Sequence, residues 1–161
     1  MELKALNRSQ LREVADVWQA AEDYARLEDG ADFDALASAK EFFDALPPGK
    51  TYADKRTLGV YKAGQLVGLV DLAENYPVKG TLFLGLLLLV PAARGQNTGN
   101  QVHQSIIRKA RQENYEKLRL GVLENNPRAL KFWRSQGYKV LKQTKSLDSR
   151  ANPVYLMELD L

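Results

Sequence analysis

The 161-residue chain is 45% apolar and 27% charged, enough for one globular domain over residues 1–161 with a full core. It contains no cysteine, which excludes disulfides, thiolate metal ligands and a cysteine nucleophile. The net charge of +3 is uneven, with 13 Lys/Arg against 6 Asp/Glu from residue 94 onward and 10 against 14 before it; no basic cluster is interleaved with aromatics, so nucleic acid is not the expected partner.

The start, Met1-Glu2-Leu3-Lys4-Ala5-Leu6, has no apolar signal region, so a cytoplasmic location is expected. Glu2 to Leu6 reads as a first strand. Ser9 is placed to cap a helix carrying Leu11, Val14, Trp18, Ala21 and Ala25 at three- and four-residue spacing, with Trp18 in the core. Glu28 to Asp34 reads as an acidic surface loop that could also attract an amine-bearing acceptor. Ser38 and Glu41 form a capping-box pattern for a second, short helix through Phe42, Phe43 and Leu46, ended by Pro47-Pro48-Gly49. From Thr51 the period changes to two. Thr57–Lys62 and Gln65–Ala73 are predicted strands joined by a hairpin at Ala63-Gly64, and Asn75 to Gly80 reverses the chain again. This reading puts Asp71, Glu74 and Tyr76 near the start of the next strand.

That strand opens the most informative stretch of the chain. Leu82 to Val90 is an apolar run about half the length needed to span a membrane, so a buried strand is expected and no membrane partner. Arg94-Gly95-Gln96-Asn97-Thr98-Gly99-Asn100 follows as a small polar loop, and then a helix with Val102, Ile106 and Ala110 on one face. Strand, glycine-containing turn and helix read as an anion site, where unpaired N–H groups and the positive end of the helix dipole converge, although the same pattern is also a common plain connection. The loop lacks the Gly-Lys-Ser/Thr of a nucleotide P-loop and the glycine spacing of a dinucleotide fingerprint.

Lys117–Leu123 is a further strand. Asn126 caps a helix that opens on Pro127, carries Ala129, Leu130, Phe132 and Trp133, and closes at Gly137. Tyr138–Lys145 and Pro153–Leu161 complete the order β-α-α-β-β-β-α-β-α-β-β. His103, the one histidine, reads as a surface residue of the helix after the polar loop.

On these motifs the chain resembles the GNAT superfamily of acyl-CoA N-acyltransferases, and within it a bacterial-type small-molecule or peptide acetyltransferase. The family's pyrophosphate motif, Gln/Arg-x-x-Gly-x-Gly/Ala, is matched at Arg94 and Gly99, with Gly95 matching the usual Arg-Gly start. Its second motif, Asn-x-x-Ala leading to an aromatic and then Gly-Phe, is matched by Asn126, Ala129, Trp133, Gly137 and Tyr138. The resemblance implies an α/β (α+β) fold of three layers, α/β/α, whose mixed and mostly antiparallel sheet splays at the acyl-CoA site. It implies acetyl-CoA as the acyl donor with no metal, and homodimers are frequent in the family. Backbone groups of Leu87, Leu88 and Leu89 would pair with the pantetheine arm. The segment Arg94, Gly95, Gln96, Asn97, Thr98, Gly99 and Asn100 would take the diphosphate, with Asn126 and Trp133 beside the cofactor.

Two positions depart from the pattern. Asn97 replaces a glycine, yet asparagine tolerates a left-handed backbone. Trp133 stands where many members carry a tyrosine that protonates the departing thiolate, and an indole N–H is too weak an acid for that. The expected reaction is direct attack of a primary amine, of a small molecule or a peptide N-terminus, on the thioester, with the amide of Leu88 or Leu89 holding the oxyanion. Asp71 and Glu74 are the carboxylates offered as general base, although the residues by themselves favour the blander reading of each as part of a solvated hairpin end. The alternative function is a CoA-binding sensor or structural module that has lost catalysis.

Overall fold

The computed structural model describes residues 1–161. The elements are β1 (Glu2–Ala5), α1 (Leu11–Ala20), α2 (Glu22–Asp29), α3 (Ala35–Asp44), β2 (Lys55–Lys62), β3 (Gln65–Ala73), β4 (Thr81–Leu89), α4 (Thr98–Gln112), β5 (Lys117–Leu123), α5 (Pro127–Ser135), β6 (Lys139–Lys145) and β7 (Pro153–Asp160). Seven strands form one sheet in the order β1-β2-β3-β4-β5-β7-β6. Every neighbouring pair is antiparallel except β4 and β5, which the α4 crossover makes parallel.

Helices cover both faces. On one side Val14, Val17 and Trp18 of α1 and Phe42 and Phe43 of α3 pack on Leu69 and Leu88. On the other, Val102, Ile106 and Ala110 of α4 and Trp133 of α5 pack on Val70, Leu72, Leu82, Leu84 and Leu89. The three-layer α/β/α arrangement and the mixed, mostly antiparallel sheet are those that the family resemblance implies.

The strand β4 changes face in its middle. Asp71 pairs with Leu86 and Leu72 with Leu84, leaving Gly85 as the extra residue of a bulge. Side chains alternate along a strand, so one extra residue inverts the alternation. Leu82 and Leu84 therefore face α4 and α5, as do Leu87 and Leu89, while Leu86 and Leu88 face α1 and α3.

Several boundaries differ from the sequence reading. The first helix is two, because Ala21 leaves helical geometry at φ −103° and ψ 30°. Ala21 and Ala25 are both fully buried, so the apolar spacing runs through the break without marking it. Asn7, not Ser9, opens the first helical turn, accepting from the Ser9 N–H at 2.9 Å. Asp34 caps α3 through the Ala37 N–H at 2.7 Å, which puts Ser38 inside the helix and buried rather than at its start. Glu28 and Asp29 belong to α2 and not to a loop.

Candidate active site

The loop after β4 forms by local rules. Pro91–Ala93 makes a single 3-10 turn, Gly95 then takes φ +71° and Asn97 φ +62°, and α4 begins at Thr98. Asparagine occupies the left-handed region at the position where the family motif has glycine, so the turn is made without it. No hydrogen bond within the chain engages the N–H of any residue from Gly95 to Asn100; the first amide of α4 to be used is that of Gln101, which donates to the Asn97 carbonyl at 3.1 Å. Six successive amides at the positive end of a 15-residue helix are thus left without a partner in the protein.

Arg94 is oriented away from that role. Its Nε donates to the Leu89 carbonyl at 2.9 Å, and its two terminal nitrogens fork onto Asp23 at the start of α2. The hydrogen bond from Arg94 holds the Asp23 carboxyl below the usual range.

Beside the loop the sheet opens. The parallel pairing of β4 with β5 runs from Thr81 with Lys117 to Leu84 with Leu120 and stops at the Gly85 bulge. Beyond it β5 pairs only with β7, through Gly121 to Leu123. One edge of β4 from Gly85 to Leu89 therefore lacks a strand partner. The Val90 N–H donates to the Val67 carbonyl at 2.9 Å. Antiparallel alternation then turns the N–H and C=O of Leu88 toward β3 and those of Leu87 and Leu89 toward the gap. The Leu89 carbonyl meeting Arg94 on that side agrees with this count.

The gap leads into a cavity of about 640 Å³ between the sheet, helices α1 to α3 and the loop joining β6 to β7. Gly85 and Leu86 line it from β4, Gly121 and Leu123 from β5, Trp18 and Phe42 from the helices. Asp71 lies on its floor in mid-sheet rather than at the far end of β4, as the sequence reading had it. Its Oδ1 accepts from Lys55 Nζ at 2.8 Å, and Lys55 is itself almost fully buried and donates also to the Ala45 carbonyl at 2.9 Å. Burial raises the Asp71 carboxyl above the ordinary carboxylate range, and the Lys55 ammonium pulls it back only in part. Lys55 carried no motif; only the strand register brings it to Asp71.

Glu74 is placed elsewhere. It accepts from Arg56 Nε, and the same guanidinium reaches Glu113 at 2.8 Å, so it braces the hairpin against the end of α4. Tyr76 does line the cavity and packs edge-on against Phe83, with ring centres 5.3 Å apart.

The second motif packs behind the loop, where a β-carbon on Gly99 would meet the Phe132 ring at 3.5 Å. Asn126 caps α5 by accepting from the Ala129 N–H at 3.1 Å. Trp133 is buried against Phe132, His103 and Tyr138 at ring separations of 4.8, 5.4 and 5.3 Å. His103 is fully buried, not on the surface. Its ring nitrogens lie 3.1 Å from Gln136 Oε1 and 3.0 Å from the Tyr138 hydroxyl. Since an amide oxygen only accepts, Nδ1 carries the proton and Nε2 accepts from Tyr138. Burial depresses the His103 pKa and raises that of Tyr138, so both are neutral.

Arg150, in the β6–β7 loop, holds the outer rim. It pairs with Asp29 of α2, with Glu41 of α3 at 2.8 Å and with Asp148 of its own loop at 2.9 Å, and lies 3.7 Å from Glu28. Tyr24 donates to Glu28 at 2.8 Å, and burial raises the Glu28 carboxyl. Glu28 and Asp29, predicted within an acidic surface loop, are thus half of a clasp.

Comparison with known proteins agrees with this fold. No curated protein sequence matches the chain significantly. The fold is similar to an acetyltransferase from Thermus thermophilus, with TM-score 0.79 and 18% identity over 99% of this chain and 96% of that one. It is similar also to the spermidine N-acetyltransferase of Vibrio cholerae solved with CoA and spermine, at TM-score 0.73 and 18% identity over 99% and 94%. The ribosomal-protein-S18-alanine N-acetyltransferase of Escherichia coli aligns at TM-score 0.70 and 14% identity over 99% and 92%. The sequence model of the acetyltransferase (GNAT) family matches residues 18–138, from α1 through the pyrophosphate-type loop to the end of the second motif, and the chain belongs to that family of N-acetyltransferases.

Proposed function

We propose that the protein transfers an acetyl group from acetyl-CoA to a primary amine of a small molecule or a peptide N-terminus, by direct attack in a ternary complex. The observation that carries this reading is the row of six unengaged N–H groups from Gly95 to Asn100 at the head of α4, beside the open edge of β4. A diphosphate is the ligand such a row suits. The pantetheine arm extends from it along Leu87 and Leu89 as an added strand, with the Leu88 side chain supporting the other face and Asn126 and Trp133 forming the facing wall.

In this reading the amine nitrogen enters from the cavity and bonds to the thioester carbonyl carbon. The oxyanion takes an N–H on the open edge; the alternation favours Leu87 or Leu89 over Leu88. The carbon–sulfur bond then breaks and the thiolate leaves unassisted, which a thiol of pKa about 8.5 permits. The proton of the attacking amine passes through water to Asp71. Its free Oδ2 faces Gly85, and its raised pKa suits a base better than an ordinary surface carboxylate. Glu74, occupied by Arg56, supports the hairpin instead. The cavity lining has as many carboxylates (Glu28, Glu41, Asp71, Asp148) as cations (Arg119, Lys142, Lys145, Arg150), which favours a monoamine or peptide terminus over a polyamine.

The second reading, a CoA-binding sensor, rests on Trp133, which supplies no acid. Release of free thiol from acetyl-CoA across amines, amino acids, polyamines and peptides separates the two. Turnover on any acceptor establishes the transferase; tight CoA binding without release from all of them establishes the sensor.

A further inference from the structure

We propose that Lys62, at the tip of the β2–β3 hairpin, is the cationic ligand of the cofactor diphosphate, in place of the motif's Arg94. The inference rests on the acyl-CoA reading of the loop. Lys62 Nζ lies 2.9 Å from Gln96 Oε1 and 3.4 Å from Thr98 Oγ1, the first residue of α4. Both partners are neutral, and the side chain is half-buried. An ammonium there meets the positive end of the helix dipole, the arrangement that helix electrostatics disfavours in the absence of an anion. Gln96 is held for the contact, because its amide nitrogen donates to the Ala92 carbonyl at 2.9 Å and leaves Oε1 to Lys62.

Arg94, meanwhile, is neutralised by Asp23 and fixed to Leu89, so its charge is already engaged within the protein. Its contacts join the end of β4 to α2, the helix that bears Tyr24 and Glu28 of the acceptor cavity. The formal charge for the diphosphate therefore comes from a hairpin remote in sequence, and the motif arginine braces the loop.

The test is calorimetric titration of the wild-type chain, K62M and K62R with CoA and with dephospho-CoA, which keeps the diphosphate but lacks the 3′-phosphate. A charge-assisted contact predicts that K62M binds both about 10-fold to 100-fold more weakly, with K62R recovering most of the loss. Because a disfavoured cation is removed, ligand-free K62M should melt no lower than wild type. Equal affinities of wild type and K62M overturn the proposal. A loss on CoA that vanishes on dephospho-CoA also overturns it, assigning Lys62 to the 3′-phosphate. Failure of the wild-type chain to bind either compound sinks the acyl-CoA reading itself, a result distinct from both.

Discussion

The free carboxylate oxygen of Asp71, Oδ2, lies 3.0 Å from the point where a β-carbon on Gly85 would stand. The base candidate and the bulge that ends the β4–β5 pairing are thus in contact, and glycine is what lets them approach. Gly85→Ala should push the carboxylate by a few tenths of an ångström and disturb the bulge. Turnover should fall about tenfold to 100-fold while CoA affinity changes little, since small misplacement of reacting groups costs rate more than binding. Steady-state kinetics beside titration with CoA check this.

Asp71→Asn removes a proton acceptor but also strands a buried ammonium, which costs about 3–5 kcal/mol. The double variant Asp71→Asn with Lys55→Met should recover most of the stability in urea unfolding and none of the activity. In the wild type, the acid limb of the pH–rate profile should sit above the ordinary carboxylate range, because burial raises Asp71. Stability runs the other way. A raised carboxyl binds its proton more tightly when folded, so its contribution is present at low pH and lost as pH rises through the folded value. A profile with its acid limb unmoved in the double variant would remove Asp71 as base.

His103 gives an opposite dependence. Its folded pKa is depressed by burial below the ordinary 6.5, so the unfolded chain takes up a proton first as pH falls. Stability should therefore decline below about pH 6.5 and level off once the folded ring titrates. His103→Leu should flatten that decline and cost about 1–3 kcal/mol, since the Tyr138 hydroxyl loses its acceptor. Thermal melts between pH 5 and 8 read both effects.

Asn97 at φ +62° carries the turn that exposes the amides. Asn97→Gly should keep CoA affinity within about threefold. Asn97→Val, which resists a left-handed backbone, should cost about 1–2 kcal/mol of stability and weaken CoA binding by an order of magnitude. Equal affinities for the two variants would mean that the loop does not depend on this conformation.

Arg150→Met should release the β6–β7 loop from Asp29 and Glu41. With the rim of the cavity opened, KM for the acceptor should change severalfold while CoA affinity holds. A change confined to CoA would show that the clasp serves the other substrate.

Much of this molecule follows from local chemistry that the sequence states outright. Lys117–Leu123 and the Asn126–Pro127 helix start need only the adjacent residues, because periodicity, a cap and a φ-restricted proline act within a few positions. The loop at Gly95 to Asn100 was legible for the same reason, down to the left-handed asparagine. The base was not. Counting back from the Ala63-Gly64 turn at uninterrupted register puts Asp71 opposite Arg56, but the irregularity at Val60 and Tyr61 moves it opposite Thr57 and diagonal to Lys55. A second extra residue, Gly85, then decides which way Leu86 to Leu89 face. Lys62 meeting Gln96, Arg94 meeting Asp23, and His103 buried under Tyr138 are likewise contacts between distant segments. The sequence by itself determined most of the elements and the glycine-containing turn before α4; tertiary structure alone decided which charges line that turn and the cavity, because a one-residue slip in strand register leaves every local signal unchanged while exchanging every cross-strand partner.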